Sequence, residues 1–502
     1  MSLLLGIPTL HLESKGAVEG LILGAVIFAG VIISVLFSAI RCPLRHVPGP
    51  WITRFTGIEI IVATIKGRRG YKLEDYHKRY GPIVRISPNE VSFADYRFYR
   101  IIYTDAKTVL KDPRFYEPAK FLKKGNIFQF INPEEHAARR KLSAPSYSTQ
   151  SISALDETIR RKADDLVARL AAAMKVSSTV DAYRLCSLFS FEVICETAFA
   201  SNLSEGVATG SYDEDAVALI HAMDGSVGSF IIETVFPWAN LGGYGKKLPG
   251  YIGVCYRNLA QWEKRSREMV DHLIQHSERG KYILTPLIHG KDEFLGRKLS
   301  SDELVGEAMG IMFAGSGTTS TTLTYLIYAL AQSQQLQERL RRVVASISEG
   351  DFPALRANPF VNAVIKETFR LYPTIMSTLP RVIQKPMQID KYLLPKGTVV
   401  GMQNYIHHRQ PDVFANPDIY MPERWLKSTP EMEATLTPFS LGRRNCIGQN
   451  LAWAELYHAV NAIARSGITF KMGPEMAGWE MEMEDRFNIA PRGKRLMVQV
   501  EV

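Results

Sequence analysis

Cysteine is scarce in this chain: five in 502 residues, Cys42, Cys186, Cys195, Cys255 and Cys446, scattered and without a Cys-x-x-Cys pair. An odd, dispersed set excludes a disulfide framework and offers no zinc-ligand spacing, so a reducing compartment follows. Cys186, Cys195 and Cys255 stand among apolar residues and read as small core fillers. Also missing are internal repeats, low-complexity tracts and any Ser/Gly-rich or Pro-rich linker after the first fifty residues. Without a linker the length does not divide, and one large unit from 52 to 502 is expected. The formal charge of +9 comes without a basic run interleaved with aromatics. That argues against nucleic acid as a partner; an anionic membrane surface or an acidic protein fits the excess better.

Charge is absent altogether from Gly20 to Ile40. About twenty apolar residues are enough to cross ~30 Å of hydrocarbon as a helix. Arg41, Arg45 and His46 follow the stretch, while Glu13, Lys15 and Glu19 precede it. The positive excess on the C-terminal side places 1–19 in the lumen, 20–40 in the bilayer as a single-pass anchor, and the rest in the cytosol. A cleaved secretory signal is the rival, but the stretch begins late and is closed by arginines without a convincing small-residue cleavage site. Val47-Pro48-Gly49-Pro50-Trp51 then halts any helix at two prolines, so 41–51 reads as a stiff hinge.

What is present is mostly helical periodicity. Apolar residues recur at helical spacing over Ala154 to Met174, Tyr183 to Phe199, Leu304 to Leu330, Leu336 to Ile347 and Val361 to Leu371. Ile83 to Phe93 alternates around a Pro-Asn turn, which predicts a hairpin, and short strands are expected near Met387 to Ile389 and Leu496 to Val500. The fold class is therefore mainly α with small β-sheets.

Near the C-terminus, Phe439-Ser-Leu-Gly442-Arg-Arg444-Asn-Cys446-Ile-Gly448 sets one cysteine in a glycine-bracketed loop just before the helix-like run Leu451-Ala-Trp-Ala-Glu-Leu-Tyr. A helix N-terminus and two adjacent arginines favour a thiolate, and the glycines let backbone N–H groups approach the sulfur. A buried structural cysteine beside a helix cap is the plain alternative. Five spaced positions resemble the haem-binding loop of the cytochrome P-450 family, and the resemblance extends from the hinge to the C-terminus. It implies the cytochrome P-450 fold behind an N-terminal transmembrane helix, with haem b (iron protoporphyrin IX) held by Cys446 as axial thiolate. Phe439, Gly442 and Gly448 would frame that ligand.

Ser300-Ser-Asp-Glu303 is a capping-box pattern and predicts a helix running to about Gln332. Its middle, Ala314-Gly-Ser-Gly-Thr-Thr-Ser-Thr-Thr322, packs glycines and hydroxyls where each glycine costs about 1 kcal/mol against alanine. Such a helix is expected to open locally, with threonines bonding back to carbonyls or to water; a small-residue packing face is the alternative. The segment resembles the family's oxygen-binding groove, which assigns Thr318 to donate to dioxygen. Gly317 stands where the family usually carries Asp or Glu, so ordered water with Ser316 or Thr318 is expected to carry protons.

Glu367 and Arg370 lie three apart on one helix face and can pair. The resemblance adds Arg424, of Pro422-Glu-Arg-Trp425, as the third member of a structural brace. It likewise implies Arg444, Arg381 and Arg140 as partners of the haem propionates, with His136 where the family's helix motif has tryptophan. By the same analogy the substrate pocket is walled by Phe128, Phe130, Met309, Met312, Phe313, Ile375, Met376, Leu379, Phe487 and Ile489, an apolar set suited to an apolar small molecule.

The implied activity is that of a microsomal monooxygenase in the endoplasmic reticulum membrane. It would take NADPH-derived electrons from NADPH–cytochrome P-450 reductase, with cytochrome b5 as an optional second donor. Arg139, Arg140, Lys141 and Arg443 would offer that flavoprotein a basic docking patch. Tyr80 to Ser92 and His407-His-Arg-Gln-Pro-Asp-Val-Phe414 resemble filamentous fungal members, many of which tailor terpenoids, polyketides or alkaloids. Two rivals stay open: a haem-thiolate isomerase or dehydratase that needs no reductase, and a non-catalytic membrane haem protein.

Overall fold

The computed structural model describes residues 40–501 apart from 204–209, 237, 239, 277–281 and 377, together with 20, 22–26, 28–30 and 33; of 241 and 242 only the backbone is described. Residues 1–19 and the other positions of the expected anchor lie outside the described residues. The described positions between 20 and 40 are helical, and Ile22, Leu23, Val26, Phe28, Ile33 and Ile40 are 59–68% exposed.

Nine helices carry the argument: α1 Pro133–Ser143, α2 Asp156–Met174, α3 Ala182–Phe199, α4 Glu214–Val235, α5 Gly250–His276, α6 Ser301–Ala331, α7 Gln334–Ala345, α8 Pro359–Leu371 and α9 Gln449–Arg465. The capping box at α6 is formed as expected, with Ser300 Oγ accepting from Glu303 N–H and the Glu303 carboxylate accepting from Ser300 N–H at 2.7 Å. From there α6 runs unbroken through the core, packed on α3, α5, α8 and α9. Its glycine-rich middle does not open. Instead Ser316, Thr318, Thr322 and Thr324 each donate their hydroxyl to the carbonyl four residues back, which satisfies the hydroxyls without breaking the backbone ladder.

α4 and α5 pack along each other and are the long helices that periodicity did not single out. Among the described residues α4 alone is long and apolar enough to cross a membrane by length and composition, yet half of its most apolar window is buried inside the protein.

Five strands, β1 Ile83–Ser87, β2 Glu90–Phe93, β3 Val109–Lys111, β4 Arg381–Ile383 and β5 Val399–Met402, form one sheet in the order β1-β2-β5-β4-β3. β2 and β5 run parallel; the other neighbours are antiparallel. The register of β3 on β4 sets Lys111 directly opposite Arg381. A two-stranded hairpin, β6 Met483–Arg486 and β7 Asn488–Pro491, turns at Phe487, whose φ is +80°.

Candidate functional site

A cavity of about 600 Å³ opens between the loop before α9, α1, α6 and the tip of the β6–β7 hairpin. Phe439, Arg444, Cys446, Gly448 and Leu451 line one side, and Met309, Phe313, Ala314, Thr318 and Thr319 line the other. The loop's shape follows from its glycines. Gly442 has φ +73°, and a side chain there would meet Tyr103 O at 2.7 Å. Phe439 O then accepts from Cys446 N–H at 2.8 Å, which turns the cysteine inward. Gly448 caps α9, and its backbone N–H is hydrogen-bonded to Cys446 Sγ.

Burial pushes the Cys446 thiol above its ordinary value; the Gly448 N–H and Arg140 pull it the other way. The expectation that Arg443 and Arg444 would depress it is not met, because Arg444 donates to Phe130 O, Ile131 O and Asn132 O instead. A thiolate on the wall of this largely apolar cavity is stabilised by a cation bonded to it. Among the described residues no group of three or more His, Cys, Asp and Glu side chains is placed to hold a metal ion. A metal at Cys446 must therefore bring its remaining ligands with it, as a porphyrin does.

The charges around the cavity specify that group further. Lys111 is fully enclosed, donates to Phe128 O, and is pushed well below its ordinary value by burial and by Arg381 and Arg444. His136 is pushed down to about 2 by burial and by Arg444, Lys111, Arg140 and Arg381. Among the described residues no salt bridge joins Lys111, Arg140, Arg381 or Arg444 to a carboxylate. Like charges directly opposite in a sheet are destabilising, and Lys111 and Arg381 are such a pair. The two propionates of haem are the anions this arrangement fits. Lys111 was not foreseen, because nothing in the sequence around it marks a short strand paired with a segment 270 residues away.

The expected site residues separate into two groups. Thr318 lines the cavity, with its hydroxyl donating to Ala314 O at 2.7 Å. Ser316 does not: it is buried, donates to Met312 O at 2.7 Å and faces Met223 on α4, so its expected part in proton transfer is withdrawn. Phe128, Met309, Phe313, Ile375, Leu379 and Phe487 wall the cavity as expected. Phe130 lies against the Arg139 guanidinium instead, Met312 accepts from Trp262 Nε1, Met376 fills the space above Gly70, and Ile489 bonds Thr321 and Thr374. Phe230 and Trp262, from α4 and α5, join the wall unforeseen.

Arg140 lines the cavity but spends its donors on Asn445 O and Asn445 Oδ1, which ties α1 to the cysteine loop. Arg381 lies behind the wall and donates to Tyr116 OH at 2.7 Å. Arg139 is buried between Asp292 and Glu307, so it is no part of a docking surface. The brace forms as expected. Glu367 accepts from Arg370 Nε and Nη2 and from Arg424 Nε, and also from Trp425 Nε1 and Met421 N–H.

The family model "Cytochrome P-450" matches residues 48–466. The cytochrome P-450 monooxygenase TpeC of Talaromyces stipitatus is 29% identical over 486 residues, covering 91% of this chain and 90% of that protein. The averantin hydroxylase of Dothistroma septosporum is 29% identical over 436 residues, 82% of this chain and 78% of its own. Among solved structures, the retinoic acid-bound cyanobacterial CYP120A1 superposes with a TM-score of 0.71 at 18% identity, covering 91% of this chain and 99% of its own. Cys446 lines the cavity together with Lys111, Arg140 and Arg444, none of them salt-bridged to a carboxylate among the described residues, a setting that fits a metal carried in an anionic macrocycle, and the family match spans all four residues: the chain belongs to the cytochrome P-450 family of haem-dependent monooxygenases.

Proposed function

We propose that the protein is a membrane-anchored monooxygenase of fungal secondary metabolism. It oxidises an apolar small molecule, RH + O2 + NADPH + H+ → ROH + H2O + NADP+, with electrons delivered by NADPH–cytochrome P-450 reductase. The observation that carries this reading is the cavity itself, whose largely apolar walls include both Cys446 and Thr318. Haem bound there would supply oxygen activation, and thiolate ligation favours O–O cleavage. Cys446 would hold the iron and the Gly448 N–H the sulfur's charge. Lys111, Arg444 and Arg381 would balance the propionates, and Thr318, once released from Ala314 O, would donate a hydrogen bond on the oxygen side.

Aromatic rings dominate the wall above. Phe487 lies 5.4 Å from Phe128, 6.1 Å from Phe230 and 6.3 Å from Phe313, centroid to centroid, which suits a flat or ring-containing substrate. Membrane attachment is supported by the exposed apolar positions between 20 and 40. It is also supported by the helix Ile58–Ile65, where Ile58, Ile61, Val62 and Ile65 form one exposed apolar stripe. These features fit an endoplasmic reticulum location with the unit from 52 to 502 in the cytosol.

Expressed protein, reduced and treated with carbon monoxide, should give the absorbance typical of thiolate haem, and Cys446→Ala should lose it. Reductase and NADPH should then convert a metabolite that accumulates when the gene is deleted. Conversion without reductase would favour an isomerase or dehydratase, and no conversion at all a haem carrier. Removing 1–40 should release at least part of the protein from sedimenting membranes.

A further inference from the structure

Each turnover of the proposed reaction consumes protons, and even without substrate NADPH + H+ + O2 → NADP+ + H2O2 does so. The groove beside Thr318 must therefore admit them. Its glycines differ in purpose. A Cβ on Gly315 would collide with Ile194 Cδ1 at 2.3 Å, so Gly315 lets α3 pack against α6. A Cβ on Gly317 would meet one atom only, Asn488 Nδ2 at 2.9 Å.

Asn488 opens β7 right after the Phe487 turn and lines the same cavity as Thr318 and Thr319. Its place is fixed from the next residue: Ile489 N–H donates to Thr374 O at 2.8 Å, and Ile489 O accepts from Thr321 Oγ1 of α6 at 3.2 Å. Thr374 Oγ1 in turn lies 2.9 Å from Thr322 Oγ1. The strand is thus pinned to α6 directly through Thr321 and, by way of Thr374, through Thr322. Yet Asn488 Oδ1 is buried and has no hydrogen-bond partner. An orphaned buried acceptor of this kind costs about 1–3 kcal/mol unless a water or ligand meets it.

We propose that the Asn488 carboxamide, seated in the space that Gly317 leaves open, is a positioning residue for proton delivery in the reaction inferred above. Its Nδ2, which faces the space beside Gly317, donates to a water in the groove that leads toward Thr318, and a turn of the amide brings the orphaned Oδ1 round to accept from the next. The amide gives up no proton of its own; it holds the waters that do. Ser316, turned to α4, is not needed for this route.

Two substitutions disturb the amide independently. Asn488→Leu removes it while keeping the number and branching of side-chain heavy atoms. Gly317→Ala pushes it aside from the helix without altering it, and alanine is a better helix former than glycine, so folding should survive. The probe is dioxygen itself, in full-length holoenzyme reconstituted with reductase. Haem reduction by reductase under carbon monoxide needs electrons only and should match wild type in both variants. NADPH consumption in oxygenated buffer should fall about tenfold in both, less than the full effect of losing a proton donor because Thr318 remains. The slowing should be larger in D2O. The resting haem absorbance should shift in both toward the form with less ordered water.

Asn488→Ala combined with Gly317→Asp, which puts a carboxylate in the vacated space, should recover NADPH consumption to within about threefold of wild type. Unchanged consumption and resting absorbance in Asn488→Leu and Gly317→Ala would overturn the proposal, as would a slowed reduction under carbon monoxide that explains the whole loss. Wild-type haem that reductase cannot reduce would sink the reductase reading instead. In that case the resting absorbance of the two variants still decides for or against Asn488.

Discussion

Replacing Glu367 by alanine should cost the protein much of its stability without touching the cavity. The carboxylate is fully buried and accepts five hydrogen bonds: from Arg370 Nε and Nη2 at 2.8 Å each, from Arg424 Nε at 3.1 Å, and from Trp425 Nε1 and Met421 N–H at 2.8 Å each. Arg370 is also fully buried, and removing its partner leaves an uncompensated charge, a loss of about 3–5 kcal/mol. Arg370 keeps His408 O, Pro417 O and Ile419 O as acceptors, so the lower part of that range applies. Stranding the Trp425 and Met421 donors adds about 1–3 kcal/mol each, partly relieved by relaxation. The expected total is about 5 kcal/mol, against the 5–15 kcal/mol that typically holds a native protein together. With a urea slope of about 3 kcal/mol/M the midpoint should fall by about 1.7 M, followed as loss of the thiolate–haem absorbance. Glu367→Leu combined with Arg370→Leu should lose less than Glu367→Ala alone, because no charge is then stranded on Arg370. A midpoint shift below about 0.3 M for Glu367→Ala, which is under 1 kcal/mol, would refute the reasoning.

Lys111→Met should speed haem transfer to apomyoglobin about tenfold, the kinetic equivalent of one lost charge-assisted hydrogen bond; an unchanged rate would mean that Lys111 serves β3 and not the propionates. Acid should destabilise the protein before most carboxylates titrate. Burial holds His77 down at about 4, His407 at about 3 and His136 at about 2, with His408 well below its ordinary value. A histidine whose native pKa is depressed contributes its full stability above the unfolded value, near 6.5, and loses it as pH falls toward the native one. The expected slope is about 1.4 kcal/mol per pH unit for each such histidine below pH ~6. His77→Gln should flatten it, read from urea midpoints between pH 7 and 5, and a midpoint independent of pH over that interval would count against neutral buried histidines.

Local spacing made some of this molecule readable in advance and hid the rest. The cysteine loop, the capping box at Ser300 and the Glu367–Arg370 pair depend on residues within one or two turns of each other, so their geometry is written in sequence order. Phase along α6 is harder. Met312 and Ser316 are one helical turn apart and share the face toward Trp262 and Met223, while Ala314 and Thr318, also one turn apart, share the face toward the cavity. A two-residue offset turns a helical side chain by about 200°, and apolar or hydroxyl character alone does not choose between two buried faces. Phe230 and Trp262 escaped because α4 and α5 were not singled out, and their role appears only once both helices lie over the cavity. Gly317 was noticed for the side chain it lacks, but that Asn488 fills the space depends on a hairpin 171 residues further along the chain.

Adjacent residues on α1 show why the cations around the cavity carry such weight. Arg139 is buried and holds two carboxylates, Asp292 and Glu307; Arg140 lines the cavity and holds none. Elsewhere in the core Arg169 is matched by Glu192 and Arg370 by Glu367. Arg85, buried without a carboxylate, is instead surrounded by Leu44 O, Val47 O, Pro50 O and Thr53 Oγ1, and so fastens the proline hinge to β1. This chain therefore satisfies its buried cations, by acids or by converging carbonyls. Lys111 has one carbonyl and two aromatic faces, and it stands across the ladder from a second cation. Nothing in the fold requires that pairing: β3 and β4 would hold as well with a neutral residue at 111, and would be spared the repulsion. A propionate of haem in the cavity that Lys111 and Cys446 both line would account for a cation at this position.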